Sequence, residues 1–111
     1  MAALTTNVIP VAGLRIDDKY VAASAGGDTA ETGGGTDLNV KTAGTAVTVT
    51  IATPETFDGL ALADRTYATV ATGEQRIPLT SRYRDPTTGL AAITYSAVTG
   101  VTVCVTRTIT T

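Results

Sequence analysis

Two runs of strict alternation constrain this chain more than any other feature. In Ala46 to Ala52, Val47, Val49 and Ile51 share one side, with Thr48 and Thr50 on the other. In Val101 to Ile109, Val101, Val103, Val105 and Ile109 lie opposite Thr102, Cys104, Thr106 and Thr108. A period of two carried by β-branched residues is the pattern of a strand with one buried face. The threonine-rich face is expected to be wettable, as in an antiparallel sandwich. Val47, Val49, Ile51, Val101, Val103 and Val105 are therefore predicted to share one core.

Weaker alternation fills the intervals. Tyr20 to Ser24, Asp37 to Thr42 and Ala91 to Ala97 read as short strands. Arg65 to Ala71 and Arg76 to Leu79 flank Thr72-Gly73-Glu74-Gln75, which reads as a hairpin loop. Asp58-Gly59, Ala43-Gly44, Thr99-Gly100 and the Asp85 to Gly89 segment supply turn chemistry. About seven strands at roughly 8–12-residue spacing predict an all-β, antiparallel β-sandwich or jelly-roll-like single domain over residues 15–111. Gly59 to Asp64 is the one helical possibility, a turn or two long. Ala25 to Thr36 holds five of the eleven glycines and no large apolar residue, and is expected to be a mobile surface loop.

At 111 residues there is room for one domain. Val, Ile, Leu and Phe total 25 against 24 Thr, so the core is feasible but thin. The chain has no His and a single Cys. No disulfide can form within it, and Cys/His zinc sites and His-activated nucleophiles are excluded. With a net charge of −2 and eight scattered basic residues, nothing favours nucleic acid. The uncharged stretch between Asp85 and Arg107 contains Pro86, two Gly, Ser96 and six Thr, too polar for a membrane. The N-terminus has no basic start and no apolar run of the signal-peptide kind, so synthesis in a cytoplasm is expected.

Chemical motifs are weak. Gly33-Gly34-Gly35-Thr36 lacks the spacing and the following Lys of a phosphate loop and reads as a flexible turn. Asp17, Asp18, Asp28 and Glu31 lack the ligand alternation of a calcium loop and read as surface acids. Ten acids provide many carboxylate pairs, none specific to hydrolysis. Cys104 has no His to activate it and reads as a small filler. No catalytic, cofactor-binding or metal-ligating residue is assigned, and the chain is not expected to be an enzyme.

One resemblance bears on function. Gly27-Asp28-Thr29-Ala30-Glu31-Thr32-Gly33-Gly34-Gly35-Thr36-Asp37-Leu38-Asn39-Val40-Lys41 leads into Ala46-Val47-Thr48-Val49-Thr50-Ile51. Arg76-Ile77-Pro78-Leu79, Arg82-Tyr83-Arg84-Asp85, Ile93-Thr94-Tyr95-Ser96 and Gly100-Val101-Thr102-Val103 follow. In this order and spacing the chain resembles the small β-sandwich structural proteins of tailed bacteriophages, especially those of actinobacterial hosts, over about residues 20–107. The resemblance implies a virion component, a capsid decoration (cement) protein on the outer surface of the head. It further implies the major capsid protein as partner and a homo-oligomer, with a trimer favoured. It carries over no catalytic residue. The alternatives are a head–tail junction or tail protein and, from a different class, a carbohydrate-binding or adhesin module, which clustered exposed aromatics would favour.

Residues 1–14 differ from the rest. They carry no charged side chain but offer Leu4, Val8, Ile9, Val11 and Leu14 as apolar anchors. Pro10 lacks an amide proton, which disfavours a central strand and favours an edge or an extended arm. An arm that a partner orders, through contacts at Leu4, Val8, Ile9, Pro10, Val11 and Leu14, is the expectation. The alternative is that the segment forms the first strand of the sandwich.

Overall fold

The computed structural model describes residues 2–54 and 56–108, with side chains from Ala3 onward. Ile109, assigned by alternation to the last strand, lies outside the described residues. In chain order the strands are β1 (Ala2–Ala3), β2 (Thr6–Ile9), β3 (Val21–Ala22), β4 (Asp28–Ala30), β5 (Thr36–Ala43) and β6 (Thr48–Ile51). They continue as β7 (Thr56–Phe57), β8 (Leu60–Ala61), β9 (Arg65–Ala68), β10 (Thr72–Pro78), β11 (Ala91–Tyr95) and β12 (Val101–Thr108). A single 3₁₀ turn spans Ser81–Tyr83.

Ten of the strands form two five-stranded sheets, and β7 and β8 form a separate two-stranded one. The first has the order β1-β4-β11-β6-β9; the second runs β10-β5-β12-β2, with β3 also paired to β12. Pairing is antiparallel except at β1–β4 and β2–β12, which are parallel. Both parallel pairs involve the N-terminal segment. The all-β sandwich is thus as expected, and its core contains all six predicted residues. Val47, Val49, Ile51, Val101, Val103 and Val105 are buried, joined by Leu38, Val40, Ile77, Leu79 and Ile93. Each such side chain stabilises the fold by roughly 1.5–3 kcal/mol relative to exposure.

Several local expectations are corrected. Arg65 to Ala71 and Arg76 to Leu79 do not form one hairpin. β9 pairs with β6 in the first sheet and β10 with β5 in the second, so the chain changes sheets between them. The Thr42 hydroxyl holds this crossover by donating to the Val70 carbonyl at 2.8 Å, and it also lies 3.3 Å from the Gly73 carbonyl. The supposed loop Thr72 to Gln75 is strand, because extending β10 lets it pair with β5 over seven residues. Ala25 to Thr36 is not simply a surface loop: it contains β4, with Asp28 and Ala30 fully buried. Small size admits Ala30 beside Ala91, its partner in the ladder. Gly59 to Asp64 is not helical. Asp58 (φ 53°) and Gly59 (φ 79°) are both left-handed, the geometry of a two-residue hairpin turn, and close β7 onto β8.

The predicted wettable face of β12 is also corrected. Cys104 and Thr106 are buried, as are the valines on the other side, so this strand is covered on both faces. At its start, Gly100 takes φ 72°, and a Cβ there would fall 2.6 Å from the Ala43 carbonyl oxygen. Gly100→Ala is therefore expected to destabilise by at least about 1–2 kcal/mol. Replacing Val49 or Val103 by Asn is expected to cost about 2–5 kcal/mol, whereas exposed Val70→Ser stays within about 0.5 kcal/mol. Chemical denaturation midpoints read all four.

Candidate functional site

The N-terminal segment, the strongest sequence candidate for a contact surface, is docked on its own domain. β1 pairs with β4, setting Ala2 opposite Asp28 and Ala3 opposite Thr29, and the Leu4 N–H donates to the Thr29 carbonyl at 2.8 Å. β2 then pairs with β12, from Thr6 opposite Val105 to Ile9 opposite Thr108. Residues 2–9 thus run from the edge of one sheet to the edge of the other, a clasp across the sandwich. The expected partner-ordered arm is corrected here. Its main-chain donors, free in an arm, are used by the ladder, which offsets the entropy of ordering the segment.

The six candidates are not brought together as one patch. Leu4 is half-buried and packs on the core. Val8 and Ile9 are consecutive in β2 and point to opposite faces. Pro10, without an N–H, ends the strand, and its carbonyl accepts from Gly13 at 2.9 Å. Val11 is 84% exposed, and Leu14 is half-buried in the loop beyond. Of the six, Val8, Pro10 and Val11 are the exposed ones.

Beneath the clasp sits an unexpected buried carboxylate. Asp28 accepts from the Tyr95 hydroxyl at 2.7 Å and from the Ser24 N–H at 3.3 Å, both through Oδ2. Its Oδ1 has no hydrogen-bond partner among the described residues. Burial and this carboxylate push the Tyr95 phenol well above its usual range. A cavity of about 330 Å³, lined by Leu4, Asn7, Lys19, Val21, Asp28 and Cys104 among others, lies between the clasp and the segment leading into β3. The pair ties a carboxylate on β4 to a phenol on β11, and so anchors these two strands to each other.

The outer face of the second sheet is closed by a polar cluster. Asn39 donates through Nδ2 to the Thr106 hydroxyl at 3.0 Å and accepts from Arg76 Nε at 3.0 Å through Oδ1. Tyr20 lies across this face, its hydroxyl 3.3 Å from Glu74 and its ring under the Lys41 ammonium at 5.8 Å. Burial, with help from Cys104 and Glu74, pushes the Tyr20 phenol up to about 12. Burial likewise raises the Cys104 thiol, which suppresses its thiolate and its nucleophilicity. Cys104 is a packed filler, as read from the sequence.

The remaining sequence candidates are dispersed. Asp17 is engaged by Arg15 at 2.6 Å, which lowers its carboxyl pKa, while Glu31 accepts from Thr6 at 2.8 Å and lies 3.5 Å from Arg107. Among the described residues no three potential metal ligands converge. The Gly33 N–H is committed to the Leu79 carbonyl at 2.9 Å, so the glycine run is a turn within the sandwich.

The sequence reading passed over the β7–β8 hairpin. Phe57 and Leu60, opposite each other on its two strands, are 75% and 71% exposed. Its legible signal was Asp58-Gly59 between two large apolar residues. The four tyrosines are all half-buried, so Phe57 is the most exposed aromatic ring.

Deleting residues 2–9 is expected to lower stability by at least about 2 kcal/mol, since several ladder hydrogen bonds and the Leu4 contact are lost. An unchanged denaturation midpoint would show that the clasp is energetically idle. Alkaline pH is a second test. A phenol whose folded pKa is raised contributes stability that is intact below its unfolded value of about 10 and lost as pH rises through the folded value. Stability should therefore fall between about pH 10 and 12, and phenolate absorbance should show Tyr20 ionising near 12 with Tyr95 later still.

No protein-family model matches this chain, and no curated protein or solved structure shows significant similarity to it.

Proposed function

We propose that this chain is a structural virion protein, a capsid decoration protein that binds the outer surface of a bacteriophage head and stabilises it. The observation that carries the reading is the ordered series of segments from Gly27-Asp28 to Val101-Thr102-Val103 described above. Those segments include the central strands β5, β6, β11 and β12, so the resemblance falls on the sandwich itself.

The physical character of the domain supports the same reading. Buried Asn39, and buried Asp28 through its Oδ2, bond to neighbouring strands, and the cysteine is buried. Such a domain is suited to holding its shape while its surface binds. The outer edges, β9 in the first sheet and β10 in the second, carry main-chain groups without a ladder partner on one side. A strand of the major capsid protein can add to such an edge. Glu74, Arg76 and Pro78 guard β10 against indiscriminate pairing, as charged residues and proline do on edges elsewhere. Copies arrayed as trimers on a symmetric shell make weak single contacts cumulative. A lone exposed phenylalanine is a poor sugar platform, which weighs against the carbohydrate-binding alternative.

Copy number in purified virions tests the proposal. Hundreds of copies per particle, together with heads that assemble without the protein but rupture at lower temperature, are expected. A handful of copies would move the protein to the head–tail junction. Its absence from virions would overturn both.

A further inference from the structure

β10 ends the second sheet, and its register fixes which of its groups face outward. Its pairing with β5 runs residue for residue from Thr72 opposite Ala43 to Pro78 opposite Asp37. Beyond one end the Ala71 carbonyl accepts from the Gly44 N–H at 2.7 Å. Beyond the other the Leu79 N–H donates to the Thr36 carbonyl at 2.9 Å. Ala71 and Leu79 thus both face β5, and because main-chain direction alternates along a strand, so do Gly73, Gln75 and Ile77. The N–H and C=O groups of Thr72, Glu74 and Arg76 therefore point away from the sheet, with the Pro78 carbonyl. They have no ladder partner, since no strand follows β10 at this edge.

Side chains alternate as well. Thr72, Glu74, Arg76 and Pro78 are exposed on the outer face, while Gln75 is half-buried and Ile77 buried on the inner one. Glu74 stands opposite Lys41, which Asp17 also neighbours, and accepts from the Tyr20 hydroxyl at 3.3 Å through Oε1. Arg76 stands opposite Asn39, which carries no charge, and donates to it through Nε alone. The outer row of β10 is thus an acid and a base, two residues apart on either side of Gln75.

From this geometry we propose that β10 pairs antiparallel with β10 of a second copy of this chain, about a twofold axis at Gln75, joining two sheets into one. In that register Glu74 of each copy lies opposite the partner's Arg76, and each such pair exchanges both of its main-chain N–H···O bonds. The Thr72 N–H meets the carbonyl of the partner's Pro78, and pairing stops there because proline returns no bond. Outward groups must meet outward groups, so the register can change only in steps of two residues. One step sets Glu74 against Glu74, and the opposite step sets Arg76 against Arg76. Like charges directly opposite are destabilising, so a single register is matched. A foreign strand leaves the same charges unmatched, and the residues that deter indiscriminate pairing thereby select this partner. β9 has no such self-match, since its one charge, Arg65, finds no acid on a second β9. The contact is isologous and closes on two copies. On a shell it links neighbouring trimers and leaves β9 as the edge for a capsid strand.

The test uses purified full-length protein in sedimentation over a concentration series, where a reversible dimer is expected. Glu74→Arg and Arg76→Glu are each expected to weaken dimerisation at least tenfold, the first by opposing two bases and the second two acids. Mixed in equal amounts, the two variants are expected to form a heterodimer with close to wild-type affinity, because every pair is then of opposite charge. A merely structural role for either residue gives no such rescue. The second measurement is Gln75→Cys. Residues opposite each other in a non-hydrogen-bonded pair have Cα atoms about 4.5 Å apart, within disulfide reach. Mild oxidation is expected to yield a dimer linked through residue 75 of both copies, and this result decides alone if a charge variant fails to fold. A chain monomeric at every concentration, no recovery in the mixture of folded variants, or residue 75 left unlinked to its counterpart overturns the pairing. All of these readings come from isolated protein, so they stand or fall separately from the copy number in virions.

Discussion

β5 and β12 pair over seven residues, from Val101 opposite Thr42 to Arg107 opposite Thr36, and β12 is covered on both faces. On the inner side Leu38, Val40, Val101, Val103 and Val105 form one wall of the core. On the outer side Asn39, Cys104 and Thr106 lie side by side. The other strands of the second sheet depend on this ladder because it supplies both of the edges they use. β10 joins the free side of β5, whereas β2 and β3 share the free side of β12. Were β5 and β12 to slip by one residue, the valines would exchange places with Asn39 and Cys104, and both layers would be lost.

Two buried polar side chains hold this arrangement where apolar packing is thin. Asn39 uses both ends of its amide, bonding Arg76 on β10 and Thr106 on β12, so it ties three strands together across the ladder. Asp28 ties β4 to β11 through Tyr95. A buried polar group is tolerated when it is hydrogen-bonded, and its directional demand fixes one register among several of similar hydrophobic merit. The chain has only 25 Val, Ile, Leu and Phe residues to specify a two-layer core, which makes this directional contribution valuable.

The surface divides into a self-contained part and a part left open. The N-terminal clasp, which looked adhesive because it is uncharged and apolar, spends its hydrogen-bonding capacity on its own sheets. The hairpin looked unremarkable in the sequence, yet it holds its apolar pair in solvent. Exposed large side chains facing each other on a projecting hairpin are the more informative sign of association, since a monomer gains nothing by placing them there. The proposed decoration role needs both parts: a domain whose shape does not change, and surfaces left open for a partner.

The sequence by itself determined the all-β class and the inward face of the two best strands. Alternation is a local property of the chain, and with β-branched residues it permits one backbone geometry. It also determined that Pro10 would not continue a central strand, because proline lacks the N–H a ladder needs. Sheet membership was decided only by the tertiary structure. Arg65 to Ala71 and Arg76 to Leu79 are neighbours in sequence and look like a hairpin, but the partners they choose, β6 and β5, are distant in the chain. β4 was invisible for a related reason: Asp28-Thr29-Ala30 has no apolar period, and its burial depends on a phenol 67 residues away. The fate of residues 2–9 was likewise settled by which strand edges the rest of the fold left vacant. Local pattern states what a segment can bury, whereas long-range pairing decides what is there to bury it.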